Sequence, residues 1–189
     1  MRGTASARGR SAPVGGFLEI LPVGPKTLLG SGHPDLRGAL PEFLGVLRSQ
    51  DGGRMWSVLS RLGEADLHRM LVKHGRLYAF DAVLGALLIS RDGGRTFVEK
   101  VTPQEPMVEL EVDPDDPERL LLASEETLFR SEDGGEHWRP LARAAGTRLA
   151  WPQGDRLYRA EGSGQISVSA DGGGRYEPVG RGSRASRRG

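Results

Sequence analysis

The chain has no cysteine among its 189 residues. Disulfide staples and thiolate metal sites are therefore excluded, while the compartment stays open. Any bound metal would have to rely on histidine and carboxylate donors. No stretch of about 18 apolar residues occurs, so no membrane-spanning helix is expected. Aromatic residues supply only 6% of the chain, and long apolar runs at helical spacing are scarce, which argues against a helical architecture. Glycine, in contrast, is abundant at 28 residues. A chain of this length can form one domain with a fair core, and this composition points to a turn-rich, all-β protein.

Charge of one sign is nearly balanced by the other, with a net +1, but the balance hides an asymmetry. Arg2, Arg8, Arg10, Arg181, Arg184, Arg187 and Arg188 lie in two terminal stretches, 1–15 and 181–189. Without those seven, 19 basic residues face 25 acidic ones, so the body of the chain is acidic. The two Gly/Ser/Arg-rich ends read as disordered tails. They carry no aromatic residues and no nucleic-acid-binding motif, so nucleic acid is not an expected partner. The N-terminal stretch has positive charge but lacks the apolar segment of a secretory signal.

What organises the sequence is an eight-residue box that occurs four times: SQDGGRMW from Ser49, SRDGGRTF from Ser90, SEDGGEHW from Ser131 and SADGGGRY from Ser169. Each begins with Ser, has Asp third, Gly fourth and fifth, and closes on an aromatic residue. Their starts are 41, 41 and 38 residues apart, the spacing of a repeat architecture. Paired glycines permit the positive φ of a tight hairpin, and the preceding Asp can accept N–H bonds from it. Asp51, Asp92, Asp133 and Asp171 are thus expected to be structural, since no active site is needed four times over.

Short strands flank every box. In the first unit they are expected at Phe17–Val23, Lys26–Ser31, Val46–Ser49 and Met55–Leu59, interrupted by an insert from His33 to Gly45. The second unit offers Leu67–Lys73, Arg76–Phe80, Ala86–Ser90 and Phe97–Val101. In the third, Met107–Val112 ends at the turn signal Asp113-Pro114-Asp115-Asp116-Pro117, followed by Arg119–Ser124, Thr127–Ser131 and His137–Leu141. The fourth reads Thr147–Trp151, Arg156–Ala160, Gln165–Ser169 and Arg175–Val179. Four strands per unit of about 40 residues describe the antiparallel blade of a β-propeller. The expected blades are about 16–62, 63–102, 103–143 and 144–180.

The boxes resemble the Asp-box, or BNR, repeats of sialidases and related propellers. Gly32-His33-Pro34-Asp35-Leu36-Arg37 and Gly63-Glu64-Ala65-Asp66-Leu67-His68, with Tyr78 and Asp81 following, are similar to a bacterial family of such propellers usually labelled glycosyl hydrolases or exo-alpha-sialidases. The likeness runs from about residue 16 to 180. It implies a propeller fold and a relation to glycosyl hydrolases, without committing the chain to a reaction. Members of that family carry at least one further blade before the segment matching Phe17. Four blades therefore imply an unusually small closed ring, a partial ring, or association with a second copy through exposed strand edges. The resemblance is compatible with export for a chain that continues N-terminally.

Loop alternation locates a site. In an up-and-down blade the boxes share one face with the first-to-second-strand turns. The opposite face receives the insert His33–Gly45, the connection Ser60–Asp66 and the loop Asp81–Gly85. This mouth gathers His33, Asp35, Arg37, Glu42, Glu64, Asp66 and Asp81, with His68 at the start of an innermost strand. Three chemistries fit. Asp35, Glu64 and Asp66 could provide acid/base groups for glycoside hydrolysis. Arg37 is the one arginine placed to clamp a substrate carboxylate, where sialidases use three, and the Phe/Tyr-Arg-Ile-Pro motif of sialidases is absent. His33, Asp35, Asp66 and His68 form an oxygen and nitrogen donor set for a divalent metal. His33, Arg37, His68 and Asp81 could equally line a non-catalytic surface for a protein or carbohydrate ligand. The purely structural alternative has His33, Asp35 and Arg37 bracing the long loop and Glu64 and Asp66 closing a turn.

Overall fold

A computed structural model describes residues 14–35, 40–143 and 147–181. The tails, the central part of the insert with Arg37, and residues 144–146 lie outside them. The described chain is all-β: four sheets, each of four antiparallel strands paired in chain order. Blade 1 contains β1 (Val14–Pro22), β2 (Leu28–Pro34), β3 (Val46–Ser49) and β4 (Ser57–Ser60). Blade 2 contains β5 (Leu67–Lys73), β6 (Arg76–Asp81), β7 (Ala86–Ser90) and β8 (Val98–Val101). Blade 3 runs from β9 (Met107–Val112) through β10 (Leu120–Ser124) and β11 (Thr127–Ser131) to β12 (Arg139–Arg143). Blade 4 is formed by β13 (Arg148–Gln153), β14 (Arg156–Ala160), β15 (Gln165–Ser169) and β16 (Glu177–Arg181).

The boxes make the outer hairpins in the manner their residue types dictate. In all four, the buried Ser hydroxyl accepts the N–H of the fifth-position glycine at 2.8 Å. It donates in turn to the box Asp at 2.8–2.9 Å. The Asp then accepts N–H groups from the far side of the loop, as Asp92 does from Arg95 and Thr96. These donors hold the box carboxylates below the usual aspartate range, Asp133 at about 2. Both glycines have positive φ, +75° and +91° in Gly93 and Gly94, a conformation that a Cβ would strain.

The closing aromatics do something the sequence did not reveal. They precede the return strands, which begin one residue later at Ser57, Val98, Arg139 and Glu177. Three of the rings are directed between blades, while Trp56 packs within blade 1 against Phe17, Leu44 and Leu47. Phe97 packs into the core shared by blades 1 and 2, with Leu29, Val46, Met70, Leu77 and Leu88. Trp138 packs likewise between blades 2 and 3, and Tyr176 between blades 3 and 4. Each interblade layer is apolar from both sides, as face-packed sheets require. A second correction concerns His33. It lies within β2, paired with Gly16, not in the insert, because β2 continues to Pro34.

The innermost strands contact one another in sequence, β1 with β5, β5 with β9 and β9 with β13, and β13 makes no comparable contact with β1. The described blades thus form an open arc. Its axis is lined by ion pairs. Arg69 faces Glu19 of blade 1 and Glu109 and Glu111 of blade 3. On the box side, Lys73 donates to Glu111 and to the carbonyls of Val112 and Trp151, at 3.2, 2.5 and 2.7 Å. Burial pushes the Glu111 carboxyl up, and the Lys73 ammonium opposes it. These cations join successive blades at the centre of the arc. Among the described residues, no helix is long and apolar enough to cross a membrane.

Candidate functional site

On the face opposite the boxes, the end of β2 and the start of β5 converge. His33 is the penultimate residue of β2, Asp66 precedes β5, and His68 is the second residue of β5. His33 Nε2 lies 3.7 Å from Asp66 Oδ1, and His68 Nε2 lies 2.9 Å from Asp66 Oδ2. One donor atom from each of the three residues falls within a 4.8 Å cluster.

Each member is positioned by a neighbour. The Asp66 N–H donates to Asp81 Oδ1 at 3.2 Å, and the Asp66 carbonyl accepts the Ala82 N–H at 2.9 Å. His33 Nδ1 meets the Glu42 carbonyl at 2.9 Å. That contact requires a proton on Nδ1, which leaves the Nε2 lone pair of a neutral ring directed at Asp66. Phe43 packs against the His33 ring with centroids 6.0 Å apart. The Asp66 side chain is only 13% exposed. Its Oδ1 is buried without a hydrogen-bond partner.

The remaining candidates are placed around this cluster. Asp81 is fully buried, and its Oδ1 also accepts the N–H groups of Val83 and Leu84; it braces the loop below the cluster. Glu64 is turned outward, 3.8 Å from Arg61 and 67% exposed. Positive φ at Arg61 and a bond from the Glu64 N–H to the Arg61 carbonyl set that turn. Asp35 is exposed on the rim and falls outside the three-residue cluster. Arg37 is not among the described residues.

Two recesses meet at His68. One, of about 250 Å³, enters the axis past Arg69, Glu109 and Arg148. The other, of about 590 Å³, runs between blades 2 and 3 along Val83, Leu84, Pro103, Pro106 and Met107. Val83 and Leu84 are more than half exposed there, so the groove presents apolar surface to solvent, with Gln104 and Glu105 as its polar lining. Arg148 is exposed and has no ion-pair partner among the described residues, unlike Arg69. The groove residues were not expected from the sequence, because isolated Val, Leu and Pro in connections carry no functional signature. Arg69 and Glu109 left a legible trace: charges interrupt the apolar pattern of the innermost strands LHRMLVK and MVELEV.

Chemically, the carboxylates are only partly engaged, since Asp66 Oδ1 and Asp81 Oδ2 are buried without a hydrogen-bond partner. Glycoside hydrolysis needs a protonated carboxyl and a second, ionised one flanking the bond. Here His68 occupies Asp66, Arg61 draws Glu64 away, and loop N–H groups saturate Asp81 Oδ1.

No family model matches the sequence. A curated relative, the dispase autolysis-inducing protein of Streptomyces mobaraensis, is 29% identical over 135 residues, covering 71% of this chain and 32% of that protein. Among solved structures, YCF48 from Cyanidioschyzon merolae superposes with a TM-score of 0.61 at 14% identity, over 94% of this chain and 59% of that one. YCF48 bound to D1 peptide gives 0.57 at 13% identity, over 89% and 55%. An ancestral GH74 enzyme gives 0.60 at 14% identity, over 89% and 25%. The chain spans about a third of the curated relative's length and between a quarter and three fifths of these structures. At such identities the structural likeness establishes the β-propeller fold.

Proposed function

We propose that this propeller is a recognition module whose mouth binds an extended, apolar peptide segment bearing a carboxylate. The observation that carries this reading is the groove of Val83, Leu84, Pro103, Pro106 and Met107, which opens beside an unpaired Arg148. Apolar side chains of a peptide would cover the exposed floor, and a carboxylate would meet the guanidinium in a bidentate pair. Two of the similar proteins support a protein ligand by their descriptions alone: one is bound to a peptide, and the other is named for inducing autolysis of dispase. Sugar-binding sites usually stack aromatic rings against the ligand, and this groove exposes none. The sialidase-like resemblance and the GH74 neighbour would favour hydrolysis, but the partly engaged carboxylates do not.

The test is selection of peptides from a random library on the full chain, in the presence of EDTA, followed by affinity measurement. Selected peptides should converge on apolar residues beside a carboxylate. Leu84→Asp and Arg148→Glu should each weaken binding at least about tenfold, the cost of losing one good buried contact or charged pair. Turnover of glycosides or sialosides by the wild-type chain, with no peptide enrichment, would replace this reading with the hydrolytic one.

A further inference from the structure

The His33–Asp66–His68 cluster borders the peptide groove at His68, and one of its carboxylate oxygens is left without a hydrogen-bond partner. The contact of His33 Nδ1 with the Glu42 carbonyl fixes the tautomer, so a lone pair on Nε2 faces Asp66 Oδ1 across 3.7 Å. In the neutral ring, that tautomer sets two acceptors opposite each other. The carboxylate oxygen involved is buried and has no hydrogen-bond partner, although buried polar atoms are nearly always satisfied. On the other side, His68 Nε2 meets Asp66 Oδ2 at 2.9 Å.

From these observations we infer that His33 Nε2, Asp66 and His68 Nε2 bind one divalent transition-metal ion, with zinc the best match to the donors. The inference goes beyond the peptide reading and does not depend on it. Two imidazole nitrogens and one carboxylate oxygen suit zinc and its neighbours in the first transition row, whereas calcium and magnesium require oxygen cages. In a tetrahedral zinc site, ligands about 2.0–2.1 Å from the ion stand roughly 3.3 Å from one another. The 3.7 and 2.9 Å separations run to the two different oxygens of Asp66, and with one oxygen chosen all three donors lie within 4.8 Å of one another. Small side-chain rotations would bring the cluster, now within 4.8 Å, to the required size. The ion would take the place of the proton shared by His68 and Asp66; in a neutral His68 ring that proton would move to Nδ1, so the coordinating imidazole stays neutral.

The surroundings are those of a metal site. The Glu42 carbonyl orients the His33 ring, and the Asp81 carboxylate anchors the Asp66 backbone, the outer contacts that ligands commonly have. His33 and His68 are 40% and 50% exposed at their side chains, so an ion could enter from solvent. Three protein ligands leave a fourth position open toward the mouth, beside the recesses that meet at His68. Because His33 belongs to blade 1 and the other two ligands to the start of blade 2, the ion would also tie the two blades together.

The test uses the full chain, stripped with EDTA and titrated with zinc chloride by calorimetry, with bound metal counted after desalting. The expected result is one zinc per chain and a rise in Tm on loading. His33→Ala and His68→Ala should each lower zinc affinity at least about tenfold and abolish the rise in Tm. His137→Ala, at an exposed box histidine, should change neither. Cobalt(II) loading supplies a second readout that needs no comparison of stabilities: the wild-type chain should show the intense visible bands of a tetrahedral site, and His68→Gln should shift or lose them. Absence of stoichiometric zinc in the wild-type chain, or equal binding by the wild type and both histidine variants, would overturn the proposal. Because peptide selection is done in EDTA, failure here and failure of the groove reading are separate results.

Discussion

Ser90→Ala tests the idea that the boxes are structural rather than catalytic. Ser90 is buried, and its Oγ accepts the Gly94 N–H at 2.8 Å and the Asp92 N–H at 3.3 Å while donating to Asp92 Oδ1 at 2.8 Å. Alanine removes one oxygen and opens almost no cavity, so the polar loss dominates. The Gly94 N–H is buried and would lose its acceptor, at a cost of about 1–3 kcal/mol. Taking about 2 kcal/mol, a domain of this size should melt about 4–8 °C lower. The matched control is Ser57→Ala, whose exposed hydroxyl donates at 3.3 Å to the Arg48 carbonyl and should leave Tm nearly unchanged. Thermal unfolding followed by circular dichroism measures both. Equal melting of Ser90→Ala and the control would refute the reasoning that the box serine anchors the hairpin from within.

Two further outcomes follow from the same geometry. The box aspartates are depressed from an ordinary 3.8, Asp133 to about 2 and Asp92 lower. A carboxylate with a folded pKa below its unfolded one adds stability above the unfolded value, and that share is lost as pH falls through the folded value. Stability should therefore decline from about pH 4 to about pH 2, and Asp133→Asn should flatten the slope in urea titrations at those pH values. The second outcome concerns the open arc. Tyr158, Ala160, Ile166 and Val168 form cross-strand pairs on the outward face of blade 4, in the register by which Tyr78, Phe80, Leu87 and Ile89 pack on blade 3. We predict that a second copy of this chain covers that face with its blade 1. Sedimentation should show concentration-dependent association that Val168→Glu weakens; an invariant monomer mass would contradict it.

The fold was legible because the box is a local device. Ser, Asp and two glycines specify the hairpin through bonds within five residues, so β5, β7, β9, β11, β14 and β15 lie where the residue pattern places them. The return strands begin later than expected, and Phe97, Trp138 and Tyr176 pack against the neighbouring blade, a contact that no local pattern encodes. The convergence of His33, Asp66 and His68 was also legible, since loop alternation alone puts them at one mouth. Glu64 was not distinguishable from Asp66 in sequence. Only the left-handed turn at Arg61 turns one carboxylate outward, while Asp81 anchors the other. The orienting role of Glu42 belongs to its carbonyl, which every residue has, and so carried no signal. Arg148 gained its significance from the absence of an ion partner, a property of three-dimensional surroundings.

The central claim is that the boxes build the propeller while the opposite mouth recognises a ligand. A single competition experiment separates the two faces: the affinity of one selected apolar, carboxylate-bearing peptide for the wild-type chain, for Arg148→Glu at the mouth and for Asp133→Asn at a box. The account predicts loss of at least about tenfold for the mouth variant and no change for the box variant. Unchanged binding by Arg148→Glu together with loss in Asp133→Asn would place recognition on the box face and contradict it.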